Sequence, residues 1–173
     1  MPVKTLILYS SVDGQTLKII NRIIELIEGE ATLMNIDDNP EVDFSLYDKV
    51  LIGGSIRYGN FRKNLLTFVN QHKTQLDSLP NAFFVVCLTA RKPEKAIPAN
   101  NAYMAKFDQL SQWQPRLKGV FAGALLYSRY NWWQTLLIQL IMKMTGGSTD
   151  SSQDIELTDW SKVETFSRDF SAL

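Results

Sequence analysis

Two kinds of apolar pattern alternate along the chain. Short dense runs, VKTLILYS from residue 3, YDKVLIG at 47–53 and AFFVVCL at 82–88, are the mark of strands buried on both faces. Between them apolar residues recur at helical spacing. Leu17, Ile20, Ile23, Ile24 and Ile27 predict a first helix, and Leu65, Leu66, Phe68 and Val69 predict the inner face of a second over 61–76. A strand at 31–36 is broken by Asp37-Asp38-Asn39-Pro40. A helix is expected over 101–112, a fifth strand over 117–126, and a closing helix over 159–173 with Trp160, Val163, Phe166 and Phe170 on one side. Strands alternating with helices mean a parallel sheet covered on both faces. With neither internal repeats nor a linker, 173 residues read as one α/β domain.

Charge changes the picture more than overall composition does. Eighteen basic and eighteen acidic side chains cancel, but residues 89–145 hold eight basic residues against Glu94 and Asp108. That +6 block suits an anionic partner, a membrane surface or a small molecule with carboxylates. Nucleic acid is not expected, since no binding motif accompanies the block. One cysteine, Cys87, excludes an internal disulfide, and it reads as a buried inert thiol. The single histidine, His72, has no ligating cluster beside it, so no metal site is expected. No signal peptide pattern opens the sequence and no apolar run reaches the ~20 residues of a spanning helix, which points to the cytoplasm.

The first strand turns into the first helix through Ser10, Ser11, Val12, Asp13, Gly14, Gln15 and Thr16. Such a turn aims backbone N–H groups and the positive end of the helix dipole at one point, a site for a phosphate. Ser10, Ser11 and Thr16 add hydroxyl donors. Neither G-x-G-x-x-G nor G-x-x-x-x-G-K-[ST] is present, so a dinucleotide site or nucleotide hydrolase is not supported. Residues 11–16 resemble the flavodoxin phosphate loop, S/T-x-T-G-x-T, which wraps the 5′-phosphate of FMN. Asp13 departs from that pattern, and the expectation is that it turns away and caps the helix. By itself the loop reads equally as a capped βα turn.

In a sheet of the flavodoxin-like order 2-1-3-4-5, ligands bind beyond the carboxyl ends of the strands. Strand three is followed there by Ser55, Ile56, Arg57, Tyr58 and Gly59, with Tyr58 available to stack on a flat ring. Strand four is followed by Leu88, Thr89, Ala90, Arg91 and Lys92. Three suitable loops in the right places favour a flavin site over ordinary connections.

Past the fifth strand, residues 127–147 form an apolar insertion. On a helix, Asn131, Thr135, Gln139 and Lys143 make one polar stripe, and nearly everything else from Trp132 to Met144 is apolar. At roughly 20 Å the helix is too short to cross a hydrocarbon core of about 30 Å. Paired Trp132 and Trp133 with flanking Arg129 and Lys143 suit a membrane interface. Packing inside the protein, a dimer seam, or a lining for a large apolar substrate fit the pattern equally.

DGQT, GSIRYG, ARKPEK, the AGAL-Y-RY segment and LIMKM-GG-TD together resemble the flavodoxin-like, quinone-dependent protoporphyrinogen IX oxidases of bacterial haem synthesis. The resemblance runs from Lys4 to about Phe170. It implies an FMN enzyme that oxidises protoporphyrinogen IX and passes six electrons to menaquinone or ubiquinone. It also implies residence at the cytoplasmic face of the inner membrane, with a homo-oligomer open. The flavin would carry the chemistry, and no general base stands out. From charge and position, Arg91, Lys92 and Arg129 are candidates for the porphyrinogen propionates. Rival readings are an electron-carrying flavodoxin, an NAD(P)H:quinone reductase on the same fold, and a membrane-tethered module without flavin.

Overall fold

The computed structural model of the protein describes residues 1–11 and 14–173. Five parallel strands, β1 (Lys4–Ser10), β2 (Glu30–Asn35), β3 (Lys49–Ser55), β4 (Asn81–Val86) and β5 (Leu117–Phe121), pair in the order β2-β1-β3-β4-β5. Leu8 pairs with Met34 on one side and Ile52 on the other, Ile52 with Phe83, and Phe84 with Gly119. The pleat sends alternate residues to opposite faces. Leu6, Leu8, Val50, Ile52, Phe83 and Val85 meet α2 (Lys63–Gln71) and α4 (Ala102–Leu110) through Leu65, Phe68, Met104 and Phe107. Ile7, Leu51, Phe84 and Phe121 meet α1 (Gln15–Leu26) and α6 (Trp160–Ser171) through Ile19, Ile20, Ile23, Val163, Phe166 and Phe170. Dense apolar strands are thereby explained, because both their faces are covered.

Two expectations need correction. The fifth strand stops at Phe121 rather than running to residue 126. After Ala122 and Gly123 the chain forms β6 (Ala124–Leu125), which pairs antiparallel with β7 (Ile155–Glu156) in a separate ribbon. The apolar run continues past Phe121, but its partner lies thirty residues on, where no local pattern reveals it. The helix expected over 61–76 starts at Lys63, because Arg62 is extended, and breaks at His72 into α2 and α3 (Lys73–Asp77). His72 sits half-buried between Phe44 and Phe68, ring centroids 5.4 and 4.5 Å away, and that desolvation lowers its pKa.

The insertion folds as α5 (Trp132–Met144). It rests on a small apolar cluster, Leu125, Tyr127 and Met142, joined by Leu88, Tyr130 and Ile138. Among the described residues, no helix is long and apolar enough to cross a membrane.

Candidate functional site: a cleft at the carboxyl edge of the sheet

Beyond the ends of β1, β3 and β4 lies a cleft of about 1000 Å³, part of it open to solvent. Its polar end is the β1–α1 turn. Gly14 caps α1 with φ of 88°, a left-handed conformation that favours glycine, and among the described residues no side chain caps the first turn. Ser11, Gln15 and Thr16 line the wall. Ser10 and Thr16 are each 1% exposed, and their hydroxyls have no hydrogen-bond partner among the described residues. A buried hydroxyl without a partner is costly, so a ligand acceptor at this point would relieve two such costs together. The site therefore fits a phosphate. Val12 and Asp13, with the expected capping role of Asp13, lie outside the described residues.

Gln15 is held from the far side of the chain: its Nε2 donates to Thr158 Oγ1 at 3.0 Å, and that hydroxyl donates to Ala122 O at 2.7 Å. Arg129 stands behind the turn, its Nη1 3.2 Å from where a Cβ on Gly14 would lie. It lines a neighbouring depression with Lys18, Asp154 and Glu156 rather than the cleft itself.

The β3 loop brings Ser55, Ile56, Arg57, Tyr58 and Gly59 to the cleft. Arg57 and Asn60 exchange backbone hydrogen bonds of 3.1 Å, which closes a two-residue turn. Tyr58 (φ 51°) and Gly59 (φ 77°) are both left-handed, as a type I′ turn requires. Asparagine or glycine is usual at the first of these positions. A bulky aromatic there costs on the order of 1–3 kcal/mol, strain that is tolerated where a side chain must be displayed. The turn is braced by Lys106, whose Nζ donates to Gly59 O at 3.2 Å and Asn60 Oδ1 at 2.9 Å.

The β4 loop forms a 3-10 turn, Leu88–Arg91. Leu88, Thr89 and Arg91 line the cleft, while Ala90 turns into the core and Lys92 stays off the wall. Arg91, a candidate for propionates, has its donors engaged elsewhere. Nη1 donates to Leu88 O at 2.9 Å, and Nη2 donates to Thr145 O at 3.0 Å and Thr145 Oγ1 at 2.6 Å. Cys87 is buried as expected, with Sγ 3.4 Å from Thr89 Oγ1. Burial raises the pKa of Tyr103 on the same wall, with a further push from Cys87.

α5 roofs the cleft with Gln134, Ile138, Ile141 and, at its end, Thr145. A capping box starts it: Asn131 Oδ1 accepts from Gln134 N at 2.9 Å, and Gln134 Oε1 accepts from Asn131 N at 3.1 Å. Gln139, in the expected polar stripe, is half-buried and donates to Thr149 O at 2.8 Å. The outward face is apolar instead, with Trp132 78%, Leu136 56%, Leu140 54% and Met144 78% exposed, four residues apart. Trp133 is also outward, its ring near-parallel (15°) to that of Tyr58 at 6.3 Å between centroids.

The cleft thus gathers the three predicted loops. It also recruits residues that local reading did not assign: Val86, Cys87, Tyr103, Gly123, Ala124, Tyr130 and the inner face of α5. Tyr130 and α5 were signalled only by the apolar character of the insertion, and the others carried no local signal. Among the described residues no carboxylate or imidazole stands on the wall, and no group of His, Cys, Asp or Glu could hold a metal ion. A phosphate seat at one end, aromatic and apolar walls, and, among the described residues, arginine as the only charge suit a flat anionic cofactor that brings its own chemistry.

A parallel sheet in the order 2-1-3-4-5 with such a cleft at its carboxyl edge defines a flavodoxin-like protein. The chain belongs to the flavodoxin-domain family, whose description matches residues 6–152. Proteins named Protoporphyrinogen IX dehydrogenase [quinone] resemble it along nearly its whole length. One from Leishmania major is 46% identical, covering 98% of this chain and 75% of that one. One from Escherichia coli K12 is 44% identical, covering 98% and 96%. Among solved structures, the apo-form of a flavoprotein from Lactobacillus acidophilus NCFM superposes with a TM-score of 0.50 at 21% identity, covering 71% of this chain and 93% of that one. That likeness extends to the fold.

Proposed function

We propose that this protein oxidises protoporphyrinogen IX to protoporphyrin IX, using FMN in the cleft and a quinone as electron acceptor. The observation that carries the reading is the span of the likeness. It covers 98% of the chain and so runs through α5, the element that a bare flavin-binding sheet does not need. Balanced, one porphyrinogen loses six electrons and six protons, and three quinones leave as quinols.

The β1–α1 turn would hold the FMN phosphate through Ser10, Ser11, Thr16 and the backbone N–H groups at Gly14 and Gln15. The loops at 55–59 and 88–91 would flank the ring. When bound, FMN supplies the two-electron chemistry. The protein's part is to bind, orient and exclude water, since among the described residues its wall offers no carboxylate or imidazole to move protons. Ile138 and Ile141 on the roof give the macrocycle an apolar contact. The porphyrinogen carboxylates would meet the cationic side of the cleft, where Arg57 and Arg91 both line the wall.

A quinone dissolved in a bilayer must be met at its surface. The outward stripe of α5, with Lys143 beside it, suits shallow insertion at an anionic membrane interface. On this reading the protein would sit peripherally on a membrane; among the described residues no helix is long and apolar enough to cross one.

The test is anaerobic turnover of FMN-loaded protein with protoporphyrinogen IX and a soluble menaquinone analogue, followed by porphyrin fluorescence. A variant lacking residues 130–144 runs beside it. Quinone-dependent porphyrin formation, lost in a folded and still yellow deletion, is the expected result. Turnover no faster than the non-enzymatic rate with flavin fully bound would leave an electron carrier.

A further inference from the structure

The first turn of α1 has two sides. Toward the cleft it presents the buried hydroxyls of Ser10 and Thr16, which have no partner among the described residues. On its other side it is bonded to the far root of the insertion. Gln15 donates from Nε2 to Thr158 Oγ1 at 3.0 Å, and Lys18, one turn on, pairs with Glu156. The Thr158 hydroxyl has one proton, and that proton goes to Ala122 O at 2.7 Å. Toward Gln15 it can therefore only accept, which fixes the amide with its nitrogen on Thr158. Ala122 precedes β6 and Thr158 follows β7, so one hydroxyl joins both roots of the insertion to the turn that seats the phosphate. Packing continues from there: Ile155 and Leu157 lie against the cluster of Leu125, Tyr127 and Met142 on which α5 rests.

We propose that Thr158 is a positioning residue for the cofactor seat: acting through Gln15, it links occupation of the phosphate turn to ordering of the insertion's root. This rests on the flavin seat proposed above and is independent of the substrate that the flavin serves. β6 and β7 are two residues each, too short to hold their pairing alone, so the ribbon depends on what fastens its ends. A phosphate that engages Ser10, Thr16 and the first N–H groups of α1 fixes the turn from which Gln15 projects. The linkage is reciprocal: the factor by which an ordered root tightens phosphate binding is the factor by which phosphate favours the ordered root. Residues 155–158 lie off the cleft wall, so a flavin in the cleft acts on them at second hand. It can do so by pressing on α5 or through Gln15. Riboflavin, the same ring without the phosphate, isolates the first route from the second.

Hydrogen exchange of residues 155–158 reads the link, compared between apoprotein and protein saturated with riboflavin or with FMN. FMN should slow exchange there about three- to tenfold more than riboflavin does. In Thr158→Val, flavin fluorescence titration should show FMN affinity lowered about three- to tenfold and riboflavin affinity unchanged, with the extra protection by FMN lost. Thr158→Ser keeps the hydroxyl but not the methyl, and it should restore both. Equal protection by the two flavins in the unaltered protein would overturn the link and leave the flavin seat standing. So would a Thr158→Val protein that binds FMN as tightly as the parent, or one that loses both flavins alike and is not rescued by serine. A parent apoprotein that binds neither flavin would remove the seat and the link together.

Discussion

Arg91 and Thr145, on the β4 loop and at the end of α5, are joined through two hydrogen bonds from one guanidinium nitrogen, at 3.0 Å to the carbonyl and 2.6 Å to the hydroxyl. The contact places a cation at the negative end of the α5 dipole and ties the roof of the cleft to its floor. An arginine that charge alone nominated for substrate carboxylates is a fastener. Its removal is expected to loosen the insertion before it touches the sheet. Arg91→Ala should cost about 1–3 kcal/mol in urea unfolding and speed proteolysis near residues 145–150. Arg91→Lys should recover less than half, since an ammonium cannot reproduce the planar fork.

Ser10 and Thr16 predict opposite effects on the empty and the loaded protein. Thr16→Val removes a buried hydroxyl that has no partner among the described residues, so the apoprotein should be as stable as the parent or slightly more so. FMN affinity should fall about ten- to hundredfold, the worth of a hydrogen bond to a charged group. Riboflavin, lacking the phosphate, should lose little. Flavin fluorescence titration of apoprotein with both ligands reads the difference directly.

Gly147 is small because of its neighbours. A Cβ there would overlap Met142 Cε and stand 3.2 Å from Arg91 Nε. Gly147→Ala should destabilise by about 1–3 kcal/mol through overpacking, with faster amide exchange confined to α5 and the turn after it. Combined with Met142→Ala the two costs should add to less than their sum, because the cavity left by one accepts the methyl of the other.

The ribbon end of the insertion carries depressed carboxylates. Glu156 is held below its ordinary pKa chiefly by Lys18, with Trp160 Nε1 donating at 2.7 Å, and Asp154 by the Ser128 hydroxyl and backbone. Groups of this kind contribute stability above the ordinary carboxylate range and lose it as pH falls through their lowered values. Acid should therefore release the segment around β7 below about pH 4.5. Glu156→Gln should lower stability at neutral pH by no more than ~1 kcal/mol, given the exposure of Lys18, and flatten the acid slope. Thermal unfolding between pH 3 and pH 7 shows both.

What the sequence made legible was what is local. β1, β3 and β4 are continuous apolar runs, α1 repeats its apolar residues every turn, and the loop chemistry at 10–16, 55–59 and 88–91 falls at the strand ends where it can be used. Apart from the late start and the break at His72 of the helix expected over 61–76, the misreadings involve partners distant along the chain. Leu125 looks like the end of a strand until Ile155 is found beside it. Arg91 looks available until Thr145 reaches it. On α5, Gln139 looks like surface, yet it bonds Thr149 and leaves Leu136 and Leu140 outside. A helix whose apolar residues outnumber its polar ones has no face that periodicity can choose, and the tertiary contacts chose it.

The antiparallel pairing of Ala124–Leu125 with Ile155–Glu156 has an evolutionary consequence. Because the two ends of the excursion are clamped beside each other, its length is nearly decoupled from the stability of the sheet. Doubling such a loop costs only about 0.6 kcal/mol in closure entropy. An ancestral sheet could therefore acquire, lengthen or exchange the roof of its cleft, and with it the acceptor it served, without refolding the seat that holds the cofactor.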